Sequence, residues 1–141
     1  MFNKSFTLDT LNQFSKNCMV GHMGIEFTEI GEDFLKAKMP VDHRTTQPYG
    51  MLHGGASVTL AETLGSVAAM LATDVNTQYC AGIEINANHI KAVKQGDVTG
   101  IARPIHLGRK TQVWEIKISN DEEQLTCISR ITVAVIDKKQ K

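Results

Sequence analysis

From Ala56 to Ala72 the chain runs for seventeen residues on Ala, Leu, Val, Met, Gly, Ser and Thr, with Glu62 as the single ionisable side chain. No proline interrupts this run, and Ala, Leu and Met are strong helix formers, so the segment predicts one helix. It is shorter than the ~20 residues that span a bilayer and carries a carboxylate, which makes it a helix of a protein interior. Being apolar nearly all round, it predicts enclosure by other elements. The 141 residues match the size of one hydrophobic core, so a single domain over 1–141 is expected.

What encloses the helix reads as strands. Ile25 and Phe27 share one face, and Leu35, Ala37 and Met39 another, with Gly31-Glu32-Asp33 as the hairpin turn between them and Pro40 as the stop. After the helix come alternating runs: Tyr79, Ala81, Ile83, Ile85 and Ala87; Thr99, Ile101, Arg103 and Ile105; Trp114, Ile116 and Ile118; then Leu125, Cys127, Ser129, Ile131, Val133 and Val135. The separators Lys91–Gly96, His106–Lys110 and Asn120–Gln124 are short and rich in turn or charged residues, so neighbouring strands are expected to be antiparallel. Ahead of all this, Leu8, Leu11 and Phe14 recur at helical spacing behind Thr7 as a cap. The expected fold class is α+β: a curved antiparallel sheet wrapped around one central helix. Lys138 to Lys141 reads as a frayed, solvated tail.

Fifteen basic and fifteen acidic residues give a formal net charge of zero, so no global field draws nucleic acid or an anionic membrane. Cys18, Cys80 and Cys127 are odd in number and widely spaced, which reads as reduced thiols in a cytoplasmic protein. Thr, Asp, Asn and Gln interrupt the first residues, leaving no apolar run of signal-peptide length, so export is not expected.

The chemistry concentrates in QPYGMLHGGASVTLAETLGS, from Gln47 to Ser66. A loop ending in His53-Gly54-Gly55 leads into the helix, so unpaired N–H groups sit where glycine permits close approach, and the helix dipole favours a negative oxygen there. Glu62 has Ser66 one turn further on, placing a hydroxyl on the same face as the carboxylate. The residues alone leave two readings open. Glu62 is either a reacting carboxylate or a group hydrogen-bonded to a strand, and His53 is either part of a site or a turn residue.

Three segments, MPVDHRTTQPYGMLHGGASVTLAE, GIEINANH (Gly82 to His89) and HLGRKTQVW (His106 to Trp114), together resemble the hotdog-fold acyl-CoA thioesterases. The likeness is to the bacterial 1,4-dihydroxy-2-naphthoyl-CoA hydrolase group, which is related to the phenylacetate-pathway and 4-hydroxybenzoyl-CoA thioesterases, and it covers almost the whole chain. The resemblance implies a helix inside a curved sheet, two chains pairing their sheets with active sites between them, and association of those homodimers into homotetramers. It makes Glu62 the nucleophile or general base and Gly54 the donor to the oxyanion. Gln47 and His53 line the reacting centre, and Ser66 helps place the attacking water. Coenzyme A would run along Asn88, His89, Ile90 and Lys91 and along His106, Leu107, Gly108, Arg109 and Lys110. Where related enzymes often carry a small hydroxyl residue and then arginine, this loop has Arg109 followed by Lys110.

No metal or separate cofactor is called for, since coenzyme A is part of the substrate. The five histidines show no HExxH pairing for metal hydrolysis. A hotdog dehydratase would place histidine and carboxylate differently, and an acyl-CoA-binding sensor module has no need of the helical carboxylate. The expected activity is hydrolysis of acyl-CoA thioesters, with 1,4-dihydroxy-2-naphthoyl-CoA of menaquinone biosynthesis as the favoured substrate. The alternative is a broad-specificity housekeeping or proofreading thioesterase.

Overall fold

A computed structural model describes residues 1–139; Gln140 and Lys141 of the expected tail lie outside them. Two helices, α1 (Leu8–Ser15) and α2 (Met19–His22), precede the hairpin of β1 (Glu26–Ile30) and β2 (Leu35–Pro40). Then come the long helix α3 (Gly54–Leu71) and four strands: β3 (Gln78–His89), β4 (Asp97–Leu107), β5 (Thr111–Asn120) and β6 (Leu125–Asp137). The strands form one antiparallel sheet in the order β1-β2-β4-β5-β6-β3. This is the hotdog architecture expected from the sequence: a sheet curled around a central helix.

α3 begins two residues earlier than expected because His53 caps it, with Nδ1 accepting the Gly55 N–H at 2.7 Å. Ala56, Leu60, Ala61, Leu64, Gly65, Ala68, Ala69 and Leu71 are buried on its inner side. Gly65 allows the sheet to come close, since a methyl group there would lie 2.4 Å from Ile131 Cγ2. The helix is not enclosed all round as its composition suggested. Thr59, Glu62, Thr63, Ser66, Val67 and Met70 form an outer stripe that stays half-exposed. Small, weakly polar residues tolerate either environment, so hydrophobicity could not separate the two sides.

A buried polar chain fixes the far end of α3. Trp114 Nε1 donates to Gln112 Oε1 (2.9 Å), Gln112 Nε2 donates to Thr73 Oγ1 (3.1 Å), and the Thr73 hydroxyl donates to the Ala69 carbonyl (2.7 Å). Phe2 stacks on Trp114 with ring centroids 5.9 Å apart, and Asn3 N–H donates to the Leu71 carbonyl.

The sequence expectations need five corrections. β3 and β4 do not pair although consecutive, because β3 lies at the sheet edge beside β6 and the chain crosses the sheet end to reach β4. A bulge between Gly82 and Glu84 swaps the faces of β3, turning Ile83 outward while Ile85 and Ala87 pack on the core. In β4 the buried side carries Val98, Gly100 and Ala102 rather than the larger Ile101 and Ile105, because Leu60 and Leu64 fill the space over Gly100. Phe14 of α1 is exposed, and of the three periodic residues only Leu11 is buried. The tail is also tied down at its start, where Lys138 N–H donates to the Thr77 carbonyl. Among the described residues no helix is long and apolar enough to cross a membrane.

Candidate active site

The loop from Val41 to His53 is held by short-range polar contacts that its many polar residues provide. Asp42 takes Arg44 in a bidentate pair (Nη2–Oδ2 2.7 Å, Nε–Oδ1 3.1 Å), and this guanidinium holds the Asp42 carboxyl at about 2. Arg44 is therefore already engaged within the loop. Further on, Thr46 bridges Leu52, Gln47 N–H donates to the Met51 carbonyl, and Gly50 turns the chain at a φ of +80°. The Gln47 Oε1 accepts the Tyr49 N–H, which leaves the Gln47 amide NH2 free to donate.

Four amide N–H groups open a helix without intrahelical partners. In α3 the Gly55 N–H is taken by His53 Nδ1, and the Ala56 and Ser57 N–H groups by the His53 carbonyl. Gly54 N–H alone of the four has no partner among the described residues. It opens on a cleft of about 290 Å³ lined by Gln47, Gly54, Ser57, His89, Ile90 and Lys91, among others. A methyl group at Gly54 would stand 2.8 Å from His89 Nε2, so glycine here lets the imidazole approach the helix start. His53 uses Nδ1 as an acceptor, so its neutral tautomer carries the proton on the exposed Nε2. Its ring faces a neighbouring depression with Gly55, Thr59 and Met23, not the Gly54 cleft.

Glu62 stands elsewhere. It is eight residues along α3 from Gly54, about 12 Å at ~1.5 Å per residue. Its Oε1 accepts the Ser66 hydroxyl at 3.4 Å, as the spacing predicted. The same Oε1 lies 2.9 Å from where a methyl group on Gly82 would sit, so that glycine on β3 leaves room for the carboxylate. Glu62 is half-exposed on the outer stripe rather than immersed in apolar surroundings, which removes the burial cost expected from sequence. From Ser66 a second, mainly apolar cleft of about 390 Å³ runs along Val67, Met70, Tyr79 and Cys80.

Within one chain the expected site residues therefore fall into two separate groups. The first joins Gln47, Gly54, His89, Ile90 and Lys91; the second joins Glu62 and Ser66. Asn88 is exposed at the end of β3 and does not line the cleft. The second coenzyme A segment is separate from the first. His106 and Leu107 end β4, and Gly108, Arg109 and Lys110 form the turn at the opposite end of the sheet from His89, roughly 25 Å away along the strands. There Lys110 Nζ pairs with Asp137 Oδ2 at 3.3 Å, while Arg109 is exposed with no ion pair among the described residues. Sequence reasoning missed Ser57, Met51, Leu52, Val93 and Thr126 as cleft residues. Only Ser57 had a legible signal, as a hydroxyl one turn beyond Gly54.

Comparison with known proteins places this geometry. Residues 49–127 match the thioesterase superfamily model, a span that contains Gly54, Glu62 and His89. The chain is 48% identical to the 1,4-dihydroxy-2-naphthoyl-CoA hydrolase of Escherichia coli, over 96% of this chain and 99% of that one. It is 49% identical to the proofreading thioesterase EntH of Cronobacter turicensis, over 96% and 98%. A solved structure of a variant of thioesterase PA1618 from Pseudomonas aeruginosa superposes with a TM-score of 0.95 at 47% identity, covering 97% of this chain and 99% of that one. With fold, helix and motif all matched at this level, the chain belongs to the thioesterase superfamily and is a thioester hydrolase.

Proposed function

We propose that the chain hydrolyses aromatic hydroxyacyl-CoA thioesters, 1,4-dihydroxy-2-naphthoyl-CoA above all, in a site shared by two copies. The observation that carries this reading is the single unpaired amide at the start of α3 facing a cleft, with the only carboxylate of the helix about 12 Å away. Neither group can reach the other's carbonyl within one chain. A two-fold pairing of α3 helices would set the Gly54 N–H of one copy against the Glu62 carboxylate of the other. The thioester oxygen then accepts the Gly54 N–H, with the Gln47 amide at the reacting centre and His53 holding the helix start through the Gly55 N–H, and charge developing on that oxygen is stabilised. Glu62 acts from the opposite side: as base it takes a proton from a water held by Ser66 that attacks the carbonyl, or as nucleophile it forms a mixed anhydride that water then cleaves; in either case the thiolate of coenzyme A leaves and the free acid is released.

The same pairing supports the coenzyme A assignment. If the β3 edges meet antiparallel, Asn88–Lys91 of one copy and His106–Lys110 of the other come to the same end of the joined sheet. Arg109 then meets phosphate oxygens as a free cation, and Gly108 permits close backbone approach. The apolar cleft beyond Ser66 suits an aromatic acyl group. Homodimers joining into homotetramers, a cytoplasmic location and a place in menaquinone biosynthesis complete the reading. The proofreading alternative stands on one observation: the relative named for that role is as similar to this chain as the naphthoyl-CoA hydrolase. A panel of aryl- and alkyl-CoA thioesters compared by kcat/KM separates the two, since selectivity for the naphthoyl ester over all others supports the first and a flat profile the second.

Glu62→Gln tests the mechanism. The variant should stay folded and bind CoA thioesters while turnover falls by at least about 100-fold, the loss expected on removing a general base. A folded variant with near-normal turnover would refute the assignment.

A further inference from the structure

The cleft at the start of α3 contains a polar group with no role so far. Ser57 is 4% exposed, and its hydroxyl has no hydrogen-bond partner among the described residues. Other hydroxyls of the same helix are committed locally: Thr59 donates to the Gly55 carbonyl, Thr63 to the Thr59 carbonyl and Ser66 to Glu62. The residue is nearly enclosed yet its hydroxyl is not a buried unsatisfied group, so the oxygen reaches the cleft surface and is available to a ligand there. Ser57 opens instead on the cleft that holds the free Gly54 N–H.

Its position follows from helix geometry. Ser57 lies three residues after Gly54, on the same side of the helix one turn further in. Side chains on a helix lean toward its N-terminus, so the hydroxyl is carried back toward the Gly54 amide. The cleft walls combine apolar Met51, Leu52, Ile90 and Val93 with polar Gln47, His89, Lys91 and Thr126, and none of these hydrogen-bonds the Ser57 hydroxyl. A ligand oxygen entering the mouth of the helix would give the hydroxyl an acceptor.

We propose that Ser57 is a further catalytic residue, whose hydroxyl donates a second hydrogen bond to the thioester oxygen already held by the Gly54 N–H. This rests on the thioesterase reading above. The carbonyl oxygen carries little charge in the ground state and a full charge in the tetrahedral intermediate, so a donor aimed there acts on kcat more than on KM. A donor placed on the arm of coenzyme A would act on KM instead.

The test uses the full-length protein with benzoyl-CoA as probe. Ser57→Ala and Ser57→Cys are expected to lower kcat by at least about 10-fold, with KM changed less than about 2-fold. The cysteine keeps the volume and offers only a weak donor, so a loss in both variants identifies the hydrogen bond rather than the packing. Neither variant should lower the thermal midpoint, because the Ser57 hydroxyl makes no hydrogen bond among the described residues that the substitution would break. An unchanged kcat with raised KM, an unchanged pair of constants, or a lowered midpoint in both variants would each overturn the proposal. Failure of the underlying reading is seen separately, as near-normal turnover of the same probe by Glu62→Gln.

Discussion

The two edges of the sheet are finished differently. At the β1 edge, α1 lies alongside, and Asn12 bonds the strand in both directions: Nδ2 donates to the Phe27 carbonyl at 3.0 Å and Oδ1 accepts the Phe27 N–H at 2.9 Å. Lys36–Glu29 and Lys38–Glu26 pairs add charge between β1 and β2. The β3 edge has no such cover among the described residues. It is twelve residues long, and its bulge presents Ile83 at 64% exposure, with Tyr79 also uncovered. Natural sheets protect an edge by a side-chain bond, by charge or by a partner, and the pairing of two copies proposed above would cover β3 in the last of these ways. The half-exposed stripe of α3 carrying Glu62 lies on that same margin, against Gly82 of β3.

The largest effect should come from blocking the open edge. Ile83→Asp is expected to leave a folded monomer whose kcat/KM is at least ~100-fold lower, because each reacting centre then lacks half its groups. Sedimentation alongside kinetics checks this, and an active monomer would break the contrast between the edges. At the closed edge, Asn12→Ala should cost about 1–3 kcal/mol in denaturant unfolding, since it leaves two backbone groups of Phe27 without their partner, while assembly and kcat are unaffected. The smallest effect sharpens the comparison: Arg109→Ala should raise KM for CoA thioesters roughly 3-fold, as loss of one exposed phosphate contact implies. Lys110→Ala should do less, because Lys110 is already engaged by Asp137. Equal KM in both variants and the wild type would remove the turn from the coenzyme A path.

Much of this was readable from the chain. The helix over Ala56–Ala72, the Gly31–Asp33 hairpin and the inward face of Trp114, Ile116 and Ile118 follow from propensity and periodicity, which act over a few residues. The Glu62–Ser66 contact follows from helical spacing. By contrast, the bulge at Ile83 depends on β3 being paired with β6, and a single inserted residue exchanges faces without any mark in hydrophobicity. The burial of Phe2 escaped notice because its partner, Trp114, is more than a hundred residues away in sequence.

By itself, then, the sequence determined the inventory: one helix able to occupy a core, strands to wrap it, a glycine-bounded helix start and one carboxylate with a hydroxyl beside it. Those depend on local preferences and on chemical identity. Only the tertiary structure decided that β3 is an edge, that one side of α3 is open, that Ser57 faces a cleft without a partner, and that Gly54 and Glu62 lie too far apart to act together in one chain. The reason is geometric. A helix advances a fixed distance per residue and a strand takes its neighbours from pairing, so which groups meet is set by the packing of distant segments.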